Sequence, residues 1–124
     1  MINNKKIGAS FESKALEYLK NKGFWATFLN AGRNGQPCDV VALKVIKTKT
    51  IGCLIDIKHC NSNYFRFSRI EMNQRDAFTY ATKMGINCYF LIWFDLLNSW
   101  KWLDFETVKE LEKNGIHGWK PNQN

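Results

Sequence analysis

The sequence predicts an α/β fold in which helices flank a mixed central sheet, with elements in the order α-β-β-β-α-β. Two long segments carry apolar residues at helical spacing, and several shorter segments are apolar or alternate at strand spacing. The chain of 124 residues is long enough for one domain, and its hydrophobic content of 45% is enough for a packed core. We therefore expect a single domain over residues 1–114 and a flexible tail over residues 115–124.

The N-terminal half reads as one helix followed by three strands. The helix is expected over residues 9–22, where apolar side chains recur at helical spacing, and Gly23 is its stop. The turn-forming segment 30–37 separates the first two strands. These strands are expected over residues 24–29, 38–45 and 51–58.

The C-terminal half begins with residues 59–67, which show no clear period and are expected to form a loop. Ser68 and Glu71 have the spacing of a capping box, which predicts a helix from there to about Met84. The elements expected after it are a strand buried on both faces over 87–94, an edge strand over 100–103, and a helix over 105–113 capped by Asp104.

The formal net charge of +7 favours a polyanionic partner, because binding a phosphate backbone releases condensed counterions. Charge alone is equally compatible with an ordinary basic surface. The longest apolar run, 88–94, is far too short to cross a bilayer, so no membrane association is expected.

The four cysteines lack paired CxxC spacing, and no secretory signal opens the chain. We therefore expect reduced thiols in a cytoplasmic protein. A zinc site formed by Cys53, His59 and Cys60 is disfavoured, since neighbouring side chains on a strand point to opposite faces.

Charged and amide side chains occur where the hydrophobic pattern calls for apolar ones. Glu12 and Gln74 lie on or beside the apolar stripes of the two long helices, and alternation places Asp56 and Lys58 on one face of their strand. Asp39 opens the second strand directly after a turn. Each residue alone is also compatible with a structural role, as a solvated helix residue, a turn cap or a surface ion pair.

Taken together, these residues resemble the active site of the PD-(D/E)xK nucleases. The motif positions are Glu12, Pro37-Cys-Asp39, Asp56-Ile-Lys58 and Gln74. The segments Gly8-Ala-Ser-Phe-Glu12, Asn30-Ala-Gly32 and Cys38-Asp-Val-Val-Ala42 resemble archaeal Hjc-type Holliday-junction resolvases, and residues 67–74 are similar to the RecU-type resolvases. The chain departs from the archaeal pattern at Asp56, where Glu is preferred, and at Ser13 and Leu29, where basic residues are usual.

The resemblance implies a restriction-endonuclease-like core and a metal-dependent endonuclease. Oxygen ligands select hard cations, so Glu12, Asp39, Asp56 and the carbonyl of Ile57 are expected to hold Mg²⁺, with Mn²⁺ as a substitute. Lys58 would position or deprotonate the attacking water, with positioning the favoured role, and Gln74 would orient the water or the metal shell. No small-molecule cofactor is expected.

The resemblance further implies a homodimer that places paired nicks in a four-way DNA junction, with branched or duplex DNA as partner. Tyr64 and Phe65 are candidates for stacking on exposed bases, although the segment that carries them is also compatible with an ordinary surface loop. The full set of candidate DNA contacts is Lys5, Lys6, Arg33, His59, Tyr64, Phe65, Arg66 and Arg69.

Two alternatives remain from the sequence. The first is a restriction- or repair-type endonuclease with the same site, which would act on duplex or flap DNA. The second is a DNA-binding module that kept the fold and lost catalysis; it fits less well, since every catalytic position is occupied.

Overall fold

The structure, a computed structural model, describes residues 4–29 and 38–121, with side chains from residue 11 onwards. The helices are α1 (Asn4–Asn21), α2 (Met72–Lys83) and α3 (Phe105–Lys113), and Phe67–Arg69 forms a short 3₁₀ helix. The strands are β1 (Trp25–Phe28), β2 (Val40–Ile46), β3 (Lys49–Cys60), β4 (Phe65–Arg66), β5 (Asn87–Phe94), β6 (Ser99–Asp104) and β7 (Gly118–Trp119).

The main sheet has five strands in the order β1-β2-β3-β5-β6. The pair β3 and β5 is parallel, and the other neighbouring pairs are antiparallel. The chain crosses from β3 to β5 through α2, as a parallel connection requires. The predicted mixed sheet flanked by helices is confirmed.

The core consists of two apolar layers, one on each face of this sheet. Residues of α1 pack on one face, where Ala15 and Leu19 meet Val40 and Ile55. Helices α2 and α3 cover the other face, with a centre rich in phenylalanine: Phe78, Phe90, Phe94 and Phe105. Strand β5 contributes to both layers, which confirms that it is buried on both faces.

The capping box predicted for Ser68 and Glu71 is wrong. Ser68 lies in the 3₁₀ helix, and Ile70 is in an extended conformation (φ −82°, ψ 119°) that separates this turn from α2. Ile70 is buried, so its side chain holds the backbone in that conformation. The box forms three residues later, with Glu71 at the N-cap and Gln74 at N3.

The predicted loop and tail are also shorter than expected. Strand β3 continues to Cys60, and β4 pairs with β7, which lies within the segment predicted to be a flexible tail. Trp119 of β7 packs on Phe94 with 6.1 Å between ring centroids, and Pro121 is buried. Residues 116–121 are therefore held by the core, and residues 122–124 lie outside the described part of the chain. No helix in the described segments is long and apolar enough to span a membrane.

Candidate active site

Asp56 and Lys58 occupy one face of β3, as strand alternation predicts, and this is the face that α2 covers. The side chain of Asp56 is only 1% exposed. The Lys58 ammonium forms an ion pair with Asp56 Oδ2, with 3.0 Å between the two atoms. Apart from this ion pair, Asp56 Oδ2 is buried without a hydrogen-bond partner among the described residues.

Gln74 joins α2 to this pair. Its Nε2 donates to Asp56 Oδ1 at 2.8 Å, and its Oε1 accepts from the backbone N–H of Glu71 at 3.3 Å and from Lys58 Nζ at 3.4 Å. The two donors that face Oε1 fix which end of the amide points at the carboxylate. The same side chain thus caps α2 and orients Asp56.

Asp39 is held beside Asp56 at the start of β2. Its N–H donates to the carbonyl of Ile55 at 3.0 Å, and its own carbonyl accepts from the N–H of Leu29 at 2.9 Å. Its carboxylate Oδ2 accepts from the N–H of Ile57 at 2.7 Å, a short charge-assisted bond. These bonds fix the carboxylate on the edge of β3 between Ile55 and Ile57.

Glu12 lies on α1 and is half-buried, as expected of a residue at the edge of the apolar stripe. Burial raises the pKa of the Glu12 carboxyl, and the negative charge of Asp39 raises it further. Glu12 is therefore close enough to Asp39 for their charges to interact. The other four residues predicted to be catalytic lie together in one cluster: Asp39 just before β2, Asp56 and Lys58 on β3, and Gln74 on α2.

The electrostatics of this cluster are dominated by Asp56. Burial is the main cause that raises the pKa of its carboxyl to about 8, the charge of Asp39 adds to the increase, and the Lys58 ammonium opposes it. A buried carboxyl beside a second carboxylate is suited to a divalent cation, which would replace the repulsion between the acids by attraction. In the described residues, no group of three or more His, Cys, Asp or Glu side chains already has an arrangement able to hold a metal ion.

The residues predicted to contact DNA divide into exposed and buried ones. Tyr64, Arg66 and Arg69 are exposed, and His59 is half-buried. Phe65 is fully buried between Phe67 and Phe90, so the prediction that it stacks on exposed bases is wrong.

Three other residues predicted to contact DNA have side chains outside the described part of the structure. Lys5 and Lys6 lie in α1 before the first described side chain, and Arg33 lies in the segment 30–37, outside the described residues, as does Pro37 of the motif.

The sequence analysis missed the partners of His59. Its Nε2 lies 2.9 Å from Asp95 Oδ1, which also accepts from Trp93 Nε1 at 3.1 Å, and its ring stacks on Phe11 with centroids 4.1 Å apart. His59 and Asp95 are brought together by the parallel pairing of β3 and β5, in which His59 lies opposite Trp93. No local pattern in the sequence indicates that register.

The cysteines form no zinc site. All four are free and buried, and Cys53 belongs to the apolar layer under α1, whereas Cys60 belongs to the layer on the opposite face. Burial raises the pKa of each thiol, that of Cys38 to about 12 and that of Cys53 to about 11. They are therefore inert core residues.

Comparison with solved structures identifies the fold. The structure of Hjc from Archaeoglobus fulgidus, a Holliday junction resolvase from an archaeal hyperthermophile, matches with a TM-score of 0.59 over 78% of this chain and 75% of that one. The fold is that of the Hjc-type nucleases. Sequence identity in this match is only 20%, so the likeness between the two proteins is one of fold.

A nuclease from a fusselovirus also shares the fold, with a TM-score of 0.50, 12% identity, and coverage of 90% of this chain and 71% of that one. No family model matches the sequence, and no curated protein matches it. The Hjc-type fold is thus established by the structure.

Proposed function

We propose that the chain is a metal-dependent endodeoxyribonuclease that resolves four-way DNA junctions as a homodimer. The main support is the cluster of Asp39, Asp56, Lys58 and Gln74, which come from three separate stretches of the sequence and meet in a fold shared with an archaeal junction resolvase. The net charge of +7 suits a DNA substrate.

In this proposal Mg²⁺, or Mn²⁺ in its place, is held by the carboxylates of Asp39, Asp56 and Glu12 and by the carbonyl of Ile57. The N–H of Ile57 donates to Asp39. In a strand, the carbonyl of a residue points to the same side as its N–H, so the Ile57 carbonyl points to the side on which Asp39 lies. When bound, the ion would activate a water and neutralise charge that develops on the phosphate. Asp56 Oδ2 is buried and its one described partner is the Lys58 ammonium, so this carboxylate oxygen can accept a cation as a further ligand.

Lys58 and Gln74 supply the remaining polar contacts. Asp56 and Gln74 hold the Lys58 ammonium from two sides, so its charge is fixed where the scissile phosphate or the attacking water would lie. Gln74 donates to Asp56 Oδ1, and Oδ2, which faces the Lys58 ammonium, is the oxygen that would turn to a ligand. Lys58 therefore acts by position and charge.

The test compares cleavage of a labelled four-way junction with cleavage of a duplex of the same sequence, with and without Mg²⁺. We expect junction-selective, Mg²⁺-dependent nicking, abolished by Asp39→Asn and by Asp56→Asn, while junction binding stays within a few-fold. Asp76→Asn, the same change at an exposed aspartate of α2, is the matched control and should cleave normally.

Each alternative has its own signature in this assay. Equal cleavage of duplex and junction would favour the restriction- or repair-type enzyme. Binding without cleavage under Mg²⁺ and Mn²⁺ would favour the DNA-binding module and reject the proposal, as would full activity of either aspartate variant.

A further inference from the structure

An open pocket of about 280 Å³ lies directly beyond the candidate active site along β3. Its walls include His59, Cys60, Ser62, Tyr64, Arg66 and Arg69. Cys60 follows Lys58 by two residues and therefore lies on the same strand face, roughly 7 Å further along at the usual strand rise. The pocket thus continues the surface on which a substrate strand at Lys58 would lie.

Its two guanidinium groups are oriented by contacts that leave their charge uncompensated. Arg69 Nη1 donates to Cys60 Sγ at 3.1 Å, and the Arg69 guanidinium lies over the ring of Phe65 at 5.6 Å. The Arg66 guanidinium lies over the ring of Tyr64 at 5.8 Å. A thiol and two aromatic rings position these cations without a negative partner.

Arg75, the next arginine in the sequence, shows the contrast. It donates to both carboxylate oxygens of Glu112, at 2.8 and 2.7 Å, and so is neutralised within the fold. Neither Arg66 nor Arg69 forms an ion pair with any described carboxylate. The Asp95 carboxylate contacts His59, one of the residues that line the pocket. Its Oδ1 already lies 2.9 Å from His59 Nε2 and accepts a hydrogen bond from Trp93 Nε1.

The backbone that carries these side chains is anchored on the core. Phe65 and Phe67 are buried, and β4 is paired with β7. A Cβ at Gly118 would lie 2.2 Å from the Tyr64 ring, so the ring can lie there because residue 118 is glycine. The pocket is therefore formed before any ligand arrives, which lowers the entropic cost of binding.

We propose that this pocket binds a backbone phosphate of the DNA strand, beside the phosphodiester bond that is cleaved. The placement next to the cleaved bond rests on the proposed function; the recognition of phosphate does not. Guanidinium groups match phosphate oxygens through paired N–H donors, and Arg66 and Arg69 bring two such groups to one small space.

The first test titrates inorganic phosphate into the metal-free protein and follows the side-chain Nε–H signals of its arginines by NMR. We expect saturable shifts at Arg66 and Arg69, with Arg75 unmoved as the reference within the same spectrum. Absence of a saturable shift at Arg66 and Arg69, or an equal shift at Arg75, would overturn the proposal. This measurement does not depend on DNA cleavage. Phosphate binding can therefore be found in a protein that does not cleave DNA, and it can be absent from a protein that does.

The second test measures DNA binding in EDTA over a range of salt concentrations. Arg66→Gln and Arg69→Gln should each weaken binding by about tenfold and lower the slope of log K against log salt by about one, as the loss of a phosphate contact does. Lys113→Gln removes the same charge outside the pocket and should leave the slope nearly unchanged. An unchanged slope in the arginine variants, or an equal change in Lys113→Gln, would contradict the pocket.

Arg69 also covers Phe65, so the thermal midpoint of each variant is measured alongside binding. If Arg69→Gln unfolds, Arg69→Lys replaces it: the charge remains, while the planar fork that matches phosphate is lost. We expect weaker binding from this variant at unchanged stability. Wild-type affinity in both Arg66→Gln and Arg69→Lys would exclude a phosphate site here.

Discussion

Asp56 is the residue whose environment most constrains the chemistry of the candidate site. Burial is the largest cause that favours the neutral form of its carboxyl, Asp39 also disfavours ionisation, and the Lys58 ammonium favours the charged form. The balance leaves the pKa at about 8, so in the metal-free protein at neutral pH the carboxyl is largely protonated. Binding of a cation would require that proton to leave.

This raised pKa predicts how stability depends on pH. Between the ordinary value of 3.8 and about 8, folded Asp56 holds a proton that the unfolded chain has released. The stabilisation is fully present below pH 3.8 and is lost as pH rises through the folded pKa, with a slope of up to about 1.4 kcal/mol per pH unit. Urea unfolding in EDTA from pH 4 to 9 measures this, and Asp56→Asn should flatten the curve.

Asp76→Asn is the matched control for that experiment, since Asp76 is an exposed aspartate on α2. It should keep the pH dependence of the wild type. If the free energy of unfolding of Asp56→Asn falls as steeply with rising pH as that of the wild type, another titrating group is responsible for the pH dependence.

The placement of individual site residues was predictable where the rule is local. Alternation along β3 puts Asp56 and Lys58 on one face whatever the rest of the chain does, and the helical period puts Gln74 beside the buried stripe of α2. Phe65 was placed wrongly because its burial depends on the pairing of β4 with β7, more than fifty positions later in the chain. The partnership of His59 and Asp95 depends likewise on a long-range register.

At the scale of elements, α2 has two functions that share one side chain. Gln74 completes the capping box with Glu71 and also donates to Asp56, so the start of the helix is fixed relative to β3. A change in the capping geometry would therefore move a ligand of the candidate site. The helix begins at Met72 and not at the Ser68 position that the sequence pattern favoured, and Gln74 lies in its first turn.

Two elements have the bounds that the sequence predicts, whereas α1 begins at Asn4, before the predicted residue 9, and β3 extends beyond the predicted 51–58 at both ends. Strand β5 spans Asn87–Phe94 and α3 spans Phe105–Lys113, both as predicted. The apolar run of β5 and the N-cap of α3 are formed by residues that are neighbours in the sequence, so both can be recognised without knowledge of the fold. The short strands β4 and β7 carry no such signal. Two residues in each are paired only because the core beneath them, around Phe65 and Trp119, brings them together.

The cap of α3 gives a prediction for a single element. The Asp104 carboxylate accepts from the N–H of Glu106 at 2.9 Å and satisfies one of the free donors at the helix start. Asp104→Ala should lower the free energy of unfolding by about 1 kcal/mol, measured by urea denaturation. Asp104→Asn, which keeps an oxygen acceptor at the N-cap, should lie close to the wild type.

Because α3 packs beside β6 at the edge of the sheet, the loss of this cap should leave the candidate site intact. The rate of Mg²⁺-dependent junction cleavage at a temperature well below unfolding is then expected to be unchanged. A loss of cleavage in folded Asp104→Ala would show that α3 is coupled to the site.

For the whole molecule, one chain offers one candidate site, whereas resolution of a four-way junction needs two nicks in symmetric positions. A two-fold dimer meets this need by pairing two identical chains. In the described structure, the candidate site brings together Asp39, Asp56, Lys58 and Gln74 of a single chain. Each subunit of the proposed homodimer should therefore nick one strand independently of the chemistry in the other.

Mixed dimers of wild-type and Asp56→Asn subunits, separated by different affinity tags, test this division of labour. On a supercoiled plasmid with an extruded cruciform, paired nicks give linear DNA, whereas a single nick gives an open circle. We expect wild-type dimers to yield mainly the linear form and mixed dimers to yield the open circle, because the variant subunit still binds but lacks the carboxylate that Gln74 and Lys58 hold in place. Linear product from mixed dimers at the wild-type rate would mean that one site makes both nicks, and resolution by a monomer at any concentration would remove the need for a dimer.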